Sequence, residues 1–562
     1  MENRAASTGV AQHSVDVLLG DQVAAWLKDK RNIEAWYALQ SVCPWATVFQ
    51  TPEFFELWLR HYQSLWTPIL VLGWNERHEL CALLPLAARD ELITGVGAHQ
   101  AEYQGWLSTA QVAPEFLVSA VSALGKKLPR HSLKLKYMPP GLALEALDRL
   151  SRQNPRALVR MHSRNFIALD TIALQKTLNK KGNKSKHNRL KRQGELKCRW
   201  LDLAEFDARL DELIAMYDFR QGALNDICPF QADPQKREFH VDWLRTLPGQ
   251  LRASGLFLDD RMISALIYVI GSKEAHLAIP AHAPEHAANS PNKIHIYESG
   301  LALAALGLER IDLTPGDDEW KARSGSGSDE VAELIVYPSL SSILRERMTN
   351  AAKHTIKRAL GTLGISRSHL GEAADRISGA LRSSRDPGRM RSGKKAVSVV
   401  YVLPPDRTVE GARVGRVDVN PLAILLKDGA RLSQRPRQPY LHETIDRLEN
   451  GDRCYVLSDR GDAVCLGWRS QKVMVADPTA SANATSDAGQ ATIELSGFAG
   501  DPELKAPERW AELISHMIAD ARTSRASIVL IADGGLSLRG AVEKMGFRPT
   551  ASLPERQQRR SD

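Results

Sequence analysis

Cysteine is scarce in this chain, with six in 562 residues, and no two stand as a Cys-x-x-Cys pair. That scatter argues against a zinc ribbon, a thioredoxin-like redox motif and a disulfide scaffold, and it suits a reducing, cytoplasmic setting. No run of about 18 apolar residues occurs, so no membrane-spanning helix is predicted. Residues 1–16 mix charged and polar side chains with no long apolar stretch, so a secretory signal is not expected. Gly-x-Ser-x-Gly and Walker A sequences are also missing, which removes the commonest hydrolase elbow and the P-loop. Neither sign of charge dominates: Lys plus Arg is 74 against 66 acids, a net +8, which is a mild pull toward anions for a chain of this size.

What the chain does have is a recurring hairpin pattern. Two apolar runs split by a short charged turn occur at residues 68–86, 254–270 and 454–468, each readable as a β-hairpin. After the second and third hairpins the order continues as strand, loop, helix and strand, so a building block used three times is expected. Thr51 ahead of Pro52 is a helix start, with Phe54, Leu57, Trp58 and Tyr62 on one face. Val15, Leu18, Leu19 and Trp26 read as a short N-terminal helix. Residues 176–199 carry ten Lys or Arg against one acid, Glu195. Residues 341–395 are basic and rich in Ser and Gly, the composition of a linker, and residues 479–490 form a low-complexity loop. The expected divisions are a tail at 1–30, units at 31–175 and 176–340, a linker at 341–395, and a last domain at 396–562.

Two constellations could carry chemistry. Ser290, Asn292 and Lys293 open a helix that follows a strand, where unpaired N–H groups and the helix dipole favour an anion. Asp312-Leu-Thr-Pro-Gly-Asp317-Asp-Glu-Trp320-Lys321 follows the next strand, and one of its carboxylates could take a proton from an attacking amine or hydroxyl. His282 and His286 flank Pro284 without an evident third ligand, so no metal is expected.

The stretch from Asp312 to Lys321 resembles the Asp-Phe-x-x-Gly-x-x-x-Tyr-Lys signature of the CelD/BcsL-type acyltransferases, which are GNAT-superfamily proteins related to the Fem peptidyltransferases. Ser290-Pro291 stands where that family has Ser-Pro-Gly, with Asn292 in place of the usual Gly. The start at Ala46-Thr-Val-Phe-Gln-Thr-Pro-Glu-Phe54, the hairpin strand Leu83-Leu-Pro-Leu86 and Tyr217-Asp-Phe-Arg220 are similar to other family segments, so the likeness spans residues 46–338. It implies an α/β (α+β GNAT-type) fold of mixed, largely antiparallel sheets flanked by helices. It also implies transfer of an acyl group from a thioester, acetyl-CoA first, to a sugar- or polysaccharide-related amine or hydroxyl. On that resemblance Asp312, Asp317 and Lys321 form the acceptor and proton-transfer cluster. Ser290, Asn292 and Lys293 hold the CoA phosphates, and Tyr217, Arg220 and Trp320 contact the acceptor. The last third resembles a single GNAT domain at Ser537-Leu-Arg539 and Gly546-Phe547, but its phosphate loop is replaced by residues 500–507, where Asp501 and Glu503 would repel a phosphate.

The basic segment is read chiefly as a solvated or CoA-facing helix, and nucleic acid is disfavoured because aromatics do not interleave it. A Fem-type aminoacyl transfer from charged tRNA, or a catalytically silent scaffold associated with a polysaccharide synthesis complex, stand as the alternatives.

Overall fold

The computed structural model describes residues 14–316, 318–343, 398–403, 416–459, 462–470, 492–500, 507–521, 527–533 and 538–549. The linker expected at 341–395 and the loop at 479–490 fall almost wholly or wholly outside them. Thirteen strands form one sheet: β1 (Ser14–Leu19), β2 (Thr67–Trp74), β3 (Leu80–Arg89), β4 (Leu92–Gly95), β5 (Leu107–Ser108), β6 (Ser132–Leu135), β7 (Ala157–Ala168), β8 (Leu196–Leu201), β9 (Leu251–Leu258), β10 (Arg261–Ile270), β11 (Glu274–His282), β12 (Arg310–Pro315) and β13 (Gly327–Val336). Seven form a second: β14 (Ser398–Leu403), β15 (Arg416–Val419), β16 (Arg453–Asp459), β17 (Asp462–Arg469), β18 (Thr492–Gly500), β19 (Ser527–Asp533) and β20 (Arg548–Pro549). Mixed sheets flanked by helices are the fold class expected from the sequence.

The three hairpins are β2–β3, β9–β10 and β16–β17. Their strands read as continuous apolar runs because both faces are covered, as in β10, where only the ends are not buried. Around each hairpin the same succession of pairings recurs: four antiparallel neighbours, one parallel pair, then an antiparallel sixth strand. It reads β1-β2-β3-β4-β6-β13, then β8-β9-β10-β11-β12-β7, then β15-β16-β17-β18-β19-β14. The first two runs exchange their last strands. β7 precedes β8 in the chain yet completes the second run, and β13 follows β12 yet completes the first. β7 and β13 pair with each other from Gly327–Phe166 to Val336–Ala157, fusing the two runs across the division expected at residue 175.

Val15, Leu18 and Leu19 lie in a strand and not on a helix. β1 pairs with β2, and the helix Asp21–Leu27 starts only after Gly20. The chain from Ser14 therefore belongs to the sheet and is not a tail. Residues 176–199 divide into a helix, Lys181–Lys191, and the strand β8. The helix Pro52–Tyr62 begins as the sequence predicts, with Thr51 Oγ1 accepting from Phe54 N at 3.2 Å. Thr51→Ala removes that cap and should lower stability by about 1 kcal/mol, read from the urea midpoint.

One buried apolar cluster joins Trp58, Phe206 and Trp243 to Leu425, Leu441 and Trp468, so the large sheet and the region of the second share a core. The helix Arg437–Glu449 packs on the long helix Leu203–Asn225.

Candidate active site

A parallel strand pair that stops pairing while both strands continue makes a wedge. In the first run the wedge between β4 and β6 is closed by the chain itself. Gln104 Oε1 accepts from Thr94 Oγ1 (3.1 Å), Gly95 N (3.4 Å) and Lys136 N (3.0 Å), while Gln104 N donates to Tyr137 O at 2.6 Å. Gly95 is required there, since a Cβ would come within 2.5 Å of Gln104 Cβ. This plug projects its neighbours Glu102 and Tyr103 toward the second run.

In the second run β11 and β12 pair only at Glu274–Arg310, Ala275–Ile311 and His276–Asp312, although they continue to His282 and Pro315. Just past the vertex β11 carries an irregularity. Ile267 pairs with Ile279 and Tyr268 with Leu277, so Ala278 has no partner across β10.

Asp312 stands at this vertex, fully buried. Its Oδ2 accepts from Tyr103 Oη (2.5 Å), bonds His276 Nδ1 (2.9 Å) and meets Arg164 Nη1 (3.4 Å), while Oδ1 accepts from Thr314 N (2.8 Å). Burial opposes its ionisation, but His276, Arg164 and Tyr103 together outweigh burial and hold the carboxyl below its usual range. Both oxygens are thereby committed. Because a carboxylate can only accept, Nδ1 of His276 is the donor, so in the neutral form of the ring the lone pair lies on Nε2. Nε2 faces Gly271, 3.6 Å from where a Cβ on that residue would lie. His276 there borders a cavity of about 750 Å³, whose walls include Tyr37, Trp45, Glu53, Pro140 and Gln250.

Arg164, 1% exposed, forks onto Asp329 (2.6 and 2.5 Å) and reaches Glu274 at 2.7 Å. Glu274, His276 and Asp312 lie close enough to resemble a metal triad. Arg164 bonds both of its carboxylates, so the guanidinium supplies the positive charge there. Glu102 belongs to the same cluster. Burial, then the charge of Asp312, push its carboxyl up to about 7 against the opposing pull of Lys321, His276 and Lys136.

The other end of β11 leads to the helix Pro291–Ala305. Ser290 caps it in the left-handed conformation (φ 50°) and receives a hydrogen bond from Lys186 Nζ at 2.7 Å. The Lys293 amine is pushed down by burial, then by Lys186, Lys180 and Arg323, a set of cations with no acid among them. Ser290, Asn292 and Lys293 are thus brought together with further positive charge. Lys321 Nζ reaches Thr314 O (3.2 Å), Thr314 Oγ1 (3.1 Å) and Pro315 O (3.3 Å) and pairs with Asp318 (3.4 Å), so it shares Thr314 with Asp312. Trp320 packs, partly buried, against the apolar cluster that includes Ile311 and Leu313, and Asp317 lies outside the described residues. Tyr217 sits edge-on to Phe230, its hydroxyl pushed up to about 12 by burial, then by Asp218 and Glu102. Arg220 pairs with Glu449 at 3.2 Å and so serves the contact with the Arg437–Glu449 helix. Sequence reasoning missed Glu102, Tyr103, Arg164 and His276. The one available signal was His276 itself, a histidine between the apolar Ala275 and Leu277 of a strand.

Residues 179–322 match the family model described as "Acetyltransferase (GNAT) domain", a span that holds both the vertex and the cation-lined helix start. This part of the chain is a GNAT-family acyltransferase domain. Among solved structures the chain is similar to FemX (11% identity, TM-score 0.40, 56% of this chain and 97% of that one). It is also similar to L-PGS from Bacillus licheniformis (11%, 0.34, 52% and 94%) and to a GCN5-related N-acetyltransferase from Sphaerobacter thermophilus (9%, 0.30, 57% and 95%). No curated protein matches it in sequence.

Proposed function

We propose that the chain transfers an acyl group from acyl-CoA, acetyl-CoA first, to an amine or hydroxyl of a polar, saccharide-like acceptor held in the 750 Å³ cavity. The observation that carries this reading is the His276–Asp312 pair at the wedge vertex, facing the cavity on a strand whose far end leads to the cation-lined helix. Lys186, Lys293 and Lys180 would hold the phosphates, with Arg323, which also pairs with Glu319 at 3.5 Å, adding positive charge nearby. CoA supplies an activated thioester. His276 Nε2 would take the proton of the acceptor's attacking nitrogen or oxygen as its bond to the acyl carbon forms and the C–S bond breaks, and would pass that proton to the departing thiolate, so that CoA leaves as its thiol. Asp312 keeps the imidazole in the tautomer that can do so, and Tyr103 and Arg164 keep Asp312 ionised and fixed. The irregularity at Ala278 brings backbone to the vertex, where an N–H can serve the developing oxyanion. Asp312, with both oxygens taken, acts as orienter and not as base.

The three runs of identical pairing order support a reading as three GNAT-like units, the first sealed, the second catalytic and the third appended. The aminoacyl-tRNA alternative draws on the exposed cations Lys181, Lys184, Arg189 and Lys191 beside the same helix start. Retention of aminoacyl-tRNA on a filter in low salt would favour it. The main reading is tested by thermal unfolding of the full chain with acetyl-CoA and a panel of longer acyl-CoAs. At a hundredfold excess over Kd the native state should gain about 2.7 kcal/mol, and no shift at millimolar ligand would sink the proposal.

A further inference from the structure

A histidine sealed in a core is an unusual thing to keep. His295, on the Pro291–Ala305 helix, is fully buried between β9 and β10. Its Nε2 lies 2.6 Å from Ser254 Oγ and its Nδ1 2.9 Å from Ser264 Oγ. Ser264 Oγ in turn donates to Asn292 Oδ1 at 2.6 Å. Ser254 and Ser264 are buried as well.

The protons along this chain run one way. Burial pushes the His295 imidazole down to about 3, so it is neutral and carries a single N–H. Ser264 has one proton and gives it to Asn292 Oδ1, so its oxygen must accept from His295 Nδ1. The ring's lone pair is then on Nε2, where Ser254 donates. With Asn292 Oδ1 turned to Ser264, every group in the chain is satisfied and the amide nitrogen is left on the other side. Its Nδ2, with two donors, meets no acceptor among the described residues. Asn292 is half-buried at the second position of the helix, next to Ser290, Lys186 and Lys293.

We infer that Asn292 is a side-chain donor to a phosphate of the acyl donor, and that Ser254, His295 and Ser264 are positioning residues that hold its amide toward that phosphate. This rests on the acyl-CoA reading above. A glycine at this position would leave the backbone alone to meet the phosphate. Here a side-chain donor is added, and a neutral relay anchors it in the core.

The test is calorimetric binding to the full chain of acetyl-CoA and of S-acetylpantetheine, which has the thioester and no nucleotide diphosphate. Asn292→Asp keeps the shape and the bond from Ser264 but replaces the donor with an anion. It should weaken acetyl-CoA about a hundredfold and S-acetylpantetheine far less, and Asn292→Ala should weaken acetyl-CoA about tenfold. Ser264→Ala should produce part of the Asn292→Ala loss, and the double variant should be no weaker than Asn292→Ala alone. Equal losses for both ligands, unchanged affinity in Asn292→Asp, or additive losses in the double variant would overturn the inference. If Ser264→Ala does not fold, the two Asn292 variants decide it. A wild-type chain that binds no acetyl-CoA would instead refute the acyl-CoA reading itself.

Discussion

His276→Ala should lower kcat roughly a thousandfold while acetyl-CoA still binds, because it removes the proton acceptor and leaves the cation-lined helix start untouched. Turnover of acetyl-CoA with an amino-sugar acceptor, set beside calorimetric binding, reads both quantities. The magnitude reflects what the vertex provides: an imidazole on the cavity wall and a carboxylate already placed to stabilise the imidazolium that forms. Glu102 is the competing base. Its carboxyl is pushed up to about 7, so it is half ionised near neutrality, and a rate that depended on it would climb through pH 7. Glu102→Gln would then abolish the climb and cost more than His276→Ala. The opposite ranking leaves His276 as the base and Glu102 as part of the charge balance around Asp312.

The largest effect on stability is expected at Arg164. Arg164→Ala leaves the fully buried Asp312 carboxylate without its guanidinium, and leaves Glu274 and Asp329 with Arg310 alone, at 3.1 and 3.9 Å. Removing one partner of a buried ion network costs about 3–5 kcal/mol, because the charge left behind is not rehydrated. The urea midpoint at neutral pH should show it. The pH dependence gives a second readout. In the wild type the Asp312 carboxyl is held below its unfolded value, so its stabilisation is present above the ordinary carboxylate range and is lost as pH falls through the lower, folded value. In Arg164→Ala burial acts with that opposing charge gone and the carboxyl rises. The deficit relative to wild type should therefore be greatest at neutral pH and shrink on acidification. A constant deficit across pH would mean that the guanidinium acts by packing alone.

The legible parts of this protein are those that local chemistry determines. The three hairpins could be read because apolar runs flank charged turns, and the Pro52–Tyr62 helix because Thr51 and Pro52 mark its start. β1 could not, since Val15, Leu18 and Leu19 satisfy a helical spacing as well as a strand, and only pairing with β2 decides. Asp312 and Lys321 stood out in a charged turn. The groups that give Asp312 its state come from far away in the chain: Tyr103 from the plug of another wedge, Arg164 from an exchanged strand, and His276 from the neighbouring strand. Pairing and register across such separations have no signature in one sequence, so the site's ends could be found and its centre could not. His295 gives no signal of its role, because nothing in its neighbours betrays two serines waiting across the core.

The exchange of β7 and β13 also sets a timetable for synthesis. When the first 175 residues have left the ribosome, β6 still lacks the neighbour that residues 327–336 will supply, and β7 has no partner on either side. A nascent chain must hold these edges open until nearly twice that length has emerged. A stop codon or protease cut between the two halves would therefore yield no working half, but a polypeptide with an exposed strand edge ready to pair with its own kind.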